Sequence, residues 1–137
     1  MAILGKLSIG GKEYAVVQAQ YDFNQSLDET NKPNSRTRGG TITFVMPSTN
    51  DDDLFFYKWM FSKTEVKDGT FVFTVWTHQN KQSYKTVAFK NAYCISLRDF
   101  FNDSDSRLMY TTVTIAAEVI TVGDSGGDTA EFNNEWT

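Results

Sequence analysis

The chain has 137 residues, of which 40% are hydrophobic, 15% are aromatic and 22% are charged. This length and composition indicate one globular domain with a hydrophobic core, and they exclude a disordered chain and a membrane-embedded one. The formal net charge of −4 disfavours binding to a nucleic-acid backbone, which requires a positive surface. We therefore expect a single domain over residues 1–137, with no nucleic-acid partner and no direct insertion into a membrane.

The amino-terminal residues do not have the pattern of a signal peptide. Residues 1–6 contain no basic stretch followed by a long apolar run. No apolar cluster approaches the ~20 residues that a membrane helix needs. We expect synthesis and folding in the cytoplasm, and any export by a route that needs no cleaved signal.

The first elements are predicted to be strands. Apolar residues over 3–9 lead into Gly10-Gly11, a pair that suits a tight hairpin turn. Residues 14–23 alternate between two faces, which predicts one long strand. Residues 41–46 predict the third strand.

Residues 25–40 interrupt this pattern. They contain almost no apolar side chain and many turn-forming residues. A polar excursion of this length inside a compact domain is usually either functional or disordered. Because strand-like sequence flanks it on both sides, we predict a protruding β-arm or a long hairpin loop.

A helix is predicted after Pro47. One of residues 48–50 is expected to be its N-cap, and the aspartates 51–53 lie where the helix dipole favours negative charge. The helix body, over 54–63, is apolar nearly all round, whereas a helix on one sheet needs a single apolar stripe. We therefore hypothesise that its second face contacts another subunit through Phe55, Phe56, Trp59 and Met60.

Further strands are predicted over 70–77, over 83–97 as one or two strands, and over 109–122. A Gly- and Asp-rich acidic tail, 123–137, follows. The sum is about seven strands with one helix between the third and the fourth. This pattern predicts a mainly β fold, an antiparallel two-sheet β-barrel or sandwich with one covering helix.

One string is similar to a catalytic motif. Gly123-Asp-Ser-Gly-Gly127 is similar to the nucleophile motif of trypsin-like serine proteases, and His78, Asp99 and Ser125 follow the order of that family's triad. The chain is too short for two barrels, however, and its single cysteine, Cys94, rules out an internal disulfide. We interpret the string as turn residues and predict no enzymatic activity.

No metal or cofactor site is predicted. The chain has one histidine, which excludes a histidine-rich metal site. The acidic sequence 102–106 lacks the glycine and the distal glutamate of an EF-hand loop. Gly10-Gly11 is followed by neither the lysine nor the helix of a phosphate-binding loop.

Three features exceed what a monomer requires: the polar arm, the apolar helix and the aromatic content. Self-assembly accounts for all three. The arm carries Lys32, Arg36 and Arg38, whereas the chain after Arg107 contains no basic residue. We hypothesise that this charge asymmetry reflects head-to-tail complementarity between stacked rings.

Four stretches, in order along the chain, carry a resemblance to a known family. They are the strand ending at 21–25 with the loop Asp28…Pro33-Asn-Ser35 and Gly39-Gly40; the helix ending in Trp59-Met60; the strands 69–73, 85–89 and 91–93; and Met109–Ala117 with Trp136 near the end. These stretches resemble the tube-forming Hcp/TssD proteins of type VI secretion systems, particularly their divergent short branch.

The resemblance implies a two-sheet β-barrel with one helix that forms hexameric rings, which stack into a hollow tube. It implies that a contractile sheath surrounds the tube, that a spike tips it, and that effectors are carried in its lumen. It also implies secretion through the apparatus. The loop that reaches the adjacent ring or subunit in this family corresponds to 26–38 here, and its candidate contact residues are Asp28, Lys32, Pro33, Asn34, Arg36 and Arg38.

Two alternatives stay open at this point. A small-ligand-binding barrel, like the intracellular lipid-binding proteins, has similar length. Those proteins place two helices after the first strand, whereas three predicted strands precede the helix here, which favours the tube. A tube protein from a phage tail or an extracellular contractile injection system would look much alike.

Overall fold

The computed structural model describes residues 5–47, 54–76, 82–101 and 109–136. Within these ranges the chain is mainly β, as the sequence predicts, and contains eight strands and one short helix. In chain order they are β1 Gly5–Ile9, β2 Lys12–Ala15, β3 Gln18–Tyr21, β4 Thr41–Pro47, α1 Phe55–Phe61, β5 Lys67–Trp76, β6 Gln82–Phe101, β7 Met109–Asp124 and β8 Thr129–Asn133.

The strands form one curled antiparallel sheet in the order β2-β1-β5-β6-β7-β4-β3, with β8 paired to the second half of β7. The two ends of this path, β2 and β3, are consecutive pieces of one chain segment. The amide of Val16 donates to the carbonyl of Gly5 at 3.0 Å, and the amide of Val17 donates to the carbonyl of Val45 at 2.8 Å. The segment thus changes its partner from β1 to β4 within two residues, which brings the ends of the sheet together into a barrel.

This change of partner divides the single strand predicted over 14–23. Tyr14 and Val16 face the core before the corner, whereas Ala19 and Tyr21 pack against the core after it. The inward face therefore shifts from even to odd positions, which strict alternation along one strand does not allow. The helix keeps its predicted place in the chain but follows the fourth observed strand.

Side chains fill the interior of the barrel. The ring of Phe44 lies 5.2 Å from that of Phe71 and 6.4 Å from that of Phe89, measured between centroids. The largest fully buried side chains are Trp59, Phe44, Phe89, Leu7, Ile42, Ile115, Ile120, Val87 and Val113.

The helix begins abruptly. Leu54 precedes it in the left-handed conformation, with φ 52°, and makes no side-chain capping bond. The first turn contains no acidic residue. The prediction of an N-cap within 48–50 and an acidic first turn is therefore wrong, and residues 48–53 themselves lie outside the described ranges. Tertiary packing of the aromatic face, and not the cap, holds this short helix in place.

The two ends of the barrel differ. At the helix end lie α1, the turn at Gly10 that packs against Phe55, and the terminus of β6 at Phe101, which pairs with Met109. At the arm end, residues 22–40 leave the barrel between β3 and β4, beside the β7–β8 hairpin.

Candidate assembly surfaces

Residues 22–40 form an arm whose two legs are paired. Isolated β-bridges join Asn24 to Arg38 and Leu27 to Pro33. The backbone amides of Asn24 and Arg38 donate to each other's carbonyls at 2.9 and 2.6 Å. The legs are therefore held together by the same cross-strand bonds that hold a β-hairpin.

The tip of the arm is closed by one carboxylate. Oδ1 of Asp28 accepts bonds from the amide of Thr30 at 2.9 Å, its hydroxyl at 2.8 Å and the amide of Lys32 at 3.0 Å. These bonds, that of the Lys32 amide foremost, lower the pKa of Asp28 because they favour its charged form. Asn31 sits in the turn with a positive φ of 65°. The tip is thus ordered by the Asp28 side chain together with two backbone bonds, from the amide of Asp28 to the carbonyl of Lys32 at 2.8 Å and from the amide of Asn31 to the carbonyl of Asp28 at 3.0 Å.

The basic residues of the arm have different surroundings. Lys32 and Arg38 are exposed. Arg36 is bound within its own chain: Nη2 donates to the carbonyl of Asn133 at 2.9 Å, and Nη1 lies 3.7 Å from Oε2 of Glu135. The acidic tail therefore already pairs with one arginine that we expected to reach another ring.

Pro33 and Asn34 are exposed on the returning leg. The amide of Asn34 donates to the carbonyl of Ser26 at 2.9 Å, so that this residue also takes part in the pairing of the legs.

The acidic tail is ordered in its first part as a hairpin. β7 continues to Asp124, and β8 pairs back along it. The Asp124 carboxylate accepts bonds from the amides of Gly126 and Asp128 at 2.9 and 3.0 Å, and Gly127 has a φ of +90°. The Gly123–Gly127 string is therefore a turn, as its composition predicts. The sequence missed β8 because it has only one large apolar residue, Phe132.

Two members of the protease-like triad lie far apart. Asp99 accepts bonds from Thr111 at 2.7 Å and from the hydroxyl of Tyr57. Ser125 follows the last residue of β7, Asp124. Thr111 and Asp124 are separated by roughly 40 Å along β7, at ~3.3 Å per residue. Asp99 and Ser125 therefore do not form a catalytic pair, and His78 lies outside the described residues.

Two of the four helix residues expected at an interface are buried in the chain's own core. The ring of Phe56 lies 4.9 Å from that of Tyr14, and only 1% of Trp59 is exposed. Burial in the subunit therefore leaves little of the Phe56 and Trp59 side chains to contact another subunit. The helix covers one end of the barrel. A helix in this position buries more of its surface than a helix that packs on a flat sheet.

The other two helix residues are half-buried. Nζ of Lys67 lies 4.7 Å from the ring centroid of Phe55, a cation–π contact. Sδ of Met60 lies 3.8 Å from Sγ of Cys94. Their remaining exposed atoms keep an interface role as a hypothesis.

The helix end carries large exposed apolar side chains. The exposed fractions are 79% for Phe61, 59% for Phe100 and 66% for Phe101. We call these three residues the helix-end phenylalanines. Exposed phenylalanines at one end of a barrel are candidates for contacts with a partner. Two successive phenylalanines occupy both faces of a strand end, a break in alternation that the sequence analysis missed.

Buried side chains occupy the described interior of the barrel. The interior is filled by side chains, and an open groove of about 220 Å³ lies instead at the corner between β2 and β3, beside Phe71 and Phe73. A second open groove, of about 330 Å³, lies on the surface at the Gly10-Gly11 turn. The arrangement does not favour a lipid-binding barrel.

The described residues give no support for metal binding or for a membrane-spanning helix. No group of three His, Cys, Asp or Glu side chains there is placed to hold a metal ion. No described helix has the length and apolar character of a membrane span. Burial raises the pKa of the Cys94 thiol to about 11, against the opposing effect of a bond to Ser96, so the thiol stays protonated near neutral pH.

The fold is a β-barrel filled by side chains, with an ordered arm at one end and exposed phenylalanines at the other. The family model described as hemolysin coregulated protein Hcp (TssD) matches residues 1–137. The chain belongs to the Hcp (TssD) family, which confirms the resemblance inferred from its four stretches.

Solved structures agree with this assignment. Hcp1 from Flavobacterium johnsoniae is 30% identical, the match covers 96% of this chain and 99% of that one, and the TM-score is 0.74. A mutant Hcp1 from E. coli EAEC 042 shares the fold at 14% identity, with the same coverage and a TM-score of 0.75. A search of curated protein sequences found no match.

The tube cap of the anti-feeding prophage has a similar fold. Its identity is 16%, the match covers 91% of both chains and the TM-score is 0.54. This likeness concerns the fold alone and gives the extracellular injection alternative little support. The chain is a tube subunit of type VI secretion.

Proposed function

We propose that the chain forms hexameric rings that stack head to tail into the inner tube, and that its role is structural and not enzymatic. The observation that carries this proposal is the difference between the two ends of the barrel. One end presents the helix-end phenylalanines, and the other presents an ordered arm. Contacts between unlike surfaces generate rings when the rotation closes, and open stacks when it does not.

The arm of one copy contacts the helix end of the next copy in this proposal. The arm tip carries exposed apolar atoms at Leu27, 55% exposed, and at its bridge partner Pro33. These atoms are suited to cover part of the helix-end phenylalanines. Lys32 lies at the tip and Arg38 on the returning leg near its base. Both set orientation more than affinity, since exposed charge pairs contribute little free energy.

The order of the arm favours such a contact. Pairing of the legs and the bonds to Asp28 hold the tip in one conformation before it meets a partner. A preordered loop loses less conformational entropy on binding than a mobile one, so more of its contact energy appears as affinity.

The family assignment supports three further partners in this proposal. A contractile sheath surrounds the tube, a spike tips it, and effector proteins occupy its lumen. The subunit leaves the cell through the apparatus as part of the tube. Co-purification of the subunit with sheath or spike proteins from cells that carry the system tests this part directly.

The first experiment is the solution mass of the purified chain, measured by light scattering coupled to size exclusion and followed by negative-stain imaging. We expect a species of six chains of 15.5 kDa with a central hole. A ring of another subunit number would overturn the hexamer. A monomer at all concentrations would overturn self-assembly of the isolated chain.

The interface is tested with matched variants. Phe61→Ser and Phe101→Ser change exposed side chains, so each should fold as the parent does and yet stack poorly. Val17→Ser, which changes another exposed apolar residue at the corner between β2 and β3, serves as the control. Equal stacking in all three variants would contradict a role for the helix end.

A further inference from the structure

The last described residues of the chain contact both legs of the arm at its base. On the outgoing leg, the ring of Phe23 lies 5.1 Å from the ring of Phe132. On the returning leg, Arg36 donates to the carbonyl of Asn133 and lies 3.7 Å from Glu135. A short carboxy-terminal segment therefore touches the arm on both sides.

Asn134 lies at the centre of these contacts. Its side-chain nitrogen donates to the carbonyl of Gly39 at 3.3 Å and to that of Ala117 at 3.1 Å. Its backbone amide donates to the carbonyl of Glu118 at 2.8 Å. One residue thus joins the returning leg of the arm to the middle of β7.

The base of the arm has room for Asn134 because two glycines lie there. A β-carbon at Gly40 would overlap the Asn134 carboxamide, and Gly40 has a φ of +103°, which favours glycine. The carbonyl of Gly40 also accepts a bond from the amide of Ala117 at 2.7 Å. A β-carbon at Gly39 would overlap the ring of Phe23. The two glycines allow the arm to approach the barrel and the tail this closely.

The bonds inside the arm and the bonds at its base have different effects. Pairing of the legs and the closed tip give the arm an internal shape, but they do not fix its angle to the barrel. Only contacts between the base and the barrel can fix that angle. Apart from the two chain connections and the contact of the Phe23 ring with the ring of Tyr21 on β3, 6.2 Å between centroids, residues 132–135 and Ala117 supply these contacts within the described part of the chain.

We propose that residues 132–135 form a clamp that sets the direction of the arm, with Asn134 as the central positioning residue. The proposal rests on the proposed function in one respect, that the arm so directed contacts a second copy of this chain. It assigns the acidic carboxy-terminal segment a role inside the subunit, beside any contact it makes between subunits.

The direction of the arm is measured by the distance distribution between two spin labels. One label replaces Glu29 at the arm tip and the other replaces Lys90 on β6, both in a Cys94→Ala background. Labelled chains are diluted with unlabelled chains, so that only distances within one chain are recorded. The variants are Asn134→Ala, Arg36→Ala and their combination. Glu131→Gln, an exposed change on β8, is the control.

We expect a narrow distribution in the parent and in the control, and a distribution at least twofold wider in the combined variant. Circular dichroism checks that each variant keeps its β structure. If Asn134→Ala does not fold, Phe132→Ala tests the same clamp on the outgoing leg. An unchanged width in the folded variants would overturn the clamp, whether or not rings form.

Ring and stack formation is measured separately by light scattering and imaging. A wider distribution with loss of stacking supports both the clamp and the arm contact. A wider distribution with normal stacking supports the clamp and overturns the contact between the arm and a second copy. The two proposals can therefore fail independently.

Discussion

The guanidinium of Arg36 donates a hydrogen bond of 2.9 Å to the carbonyl of Asn133, 97 residues further along the chain. This bond joins the basic arm to the acidic tail inside one subunit. The charge asymmetry in the sequence therefore has an intrachain component, and Lys32 and Arg38 are the basic arm residues that keep a contact between subunits as their proposed role.

Reversing the charge of Arg36 and of Arg38 separates the intrachain role of the first from the proposed role of the second between subunits. The Arg36–Glu135 pair is largely exposed, so Arg36→Glu should lower the free energy of unfolding by about 1 kcal/mol or less. Arg38→Glu should leave the stability of the subunit unchanged and weaken stacking, most clearly at low salt, where screening is least. Urea unfolding and light scattering measure the two effects. Equal stacking by Arg38→Glu and the parent at low salt would exclude a charge contribution from that residue.

Replacement of Trp59 tests the burial of the helix. Trp59→Ala removes a buried ring and the bond from its indole nitrogen to the carbonyl of Glu65, 3.2 Å long. We expect a loss of about 3–5 kcal/mol in the free energy of unfolding. Phe61→Ala, two positions away on the same helix and exposed, should change it by less than about 0.5 kcal/mol. Similar losses in the two variants would contradict the placement of the helix.

The helix-end phenylalanines of β6 should act on assembly and not on folding. Phe100→Ser and Phe101→Ser should keep the parent's unfolding midpoint and raise the concentration at which stacks appear. Tyr84→Ser, another exposed aromatic residue on β6, is the control. A large fall in thermal stability of either phenylalanine variant would show that the side chain is packed within the subunit.

The buried thiol predicts a pH dependence of stability at alkaline pH. Burial raises the pKa of Cys94 from 9.0 to about 11, so between these values the folded chain holds a proton that the unfolded chain releases. The stabilising effect is complete below pH 9 and is lost as the pH rises towards 11. Urea unfolding at pH 8 and 10.5 should show a steeper fall for the parent than for Cys94→Ala. Parallel falls would contradict the raised pKa.

Burial also raises the pKa of Tyr21. This residue is present in both proteins, so its contribution above pH 10 cancels in the comparison. A thiol reagent at pH 8 provides an independent check, since the protonated buried thiol should react slowly until the chain is unfolded.

The arm tip should depend on the charge of Asp28. Hydrogen bonds lower its pKa below 3.8, so the stabilising effect of the carboxylate on the tip is complete above that pH and is lost as the pH falls through the lowered value. In Asp28→Asn the amide resonances of Thr30 and Lys32 should shift towards values typical of a mobile chain. Glu29→Gln, a neighbouring exposed carboxylate, is the matched control. Unchanged resonances in Asp28→Asn would show that the tip is ordered by other bonds.

Much of the fold could be predicted from local pattern. Alternation placed most strands, the turn residues placed the hairpin at Gly10 and marked a turn at 123–127, and the lack of apolar residues marked the arm. These features depend on neighbours in the sequence. The helix start was predicted wrongly, because its actual boundary is set by packing of Phe56 and Trp59 into the barrel end.

The sequence by itself determined the β class, the order of most elements and, through its four stretches, the family. Only the tertiary structure decided which hydrophobic residues are buried, where the strand over 14–23 changes its partner, and that Arg36 binds the tail of its own chain. The physical reason is the range of the interactions. The periodicity of hydrophobic residues and the preference of certain residues for turns depend on a few neighbouring residues. The closure of the barrel and the contact between Gly40 and Asn134 join residues that only the folded chain brings together.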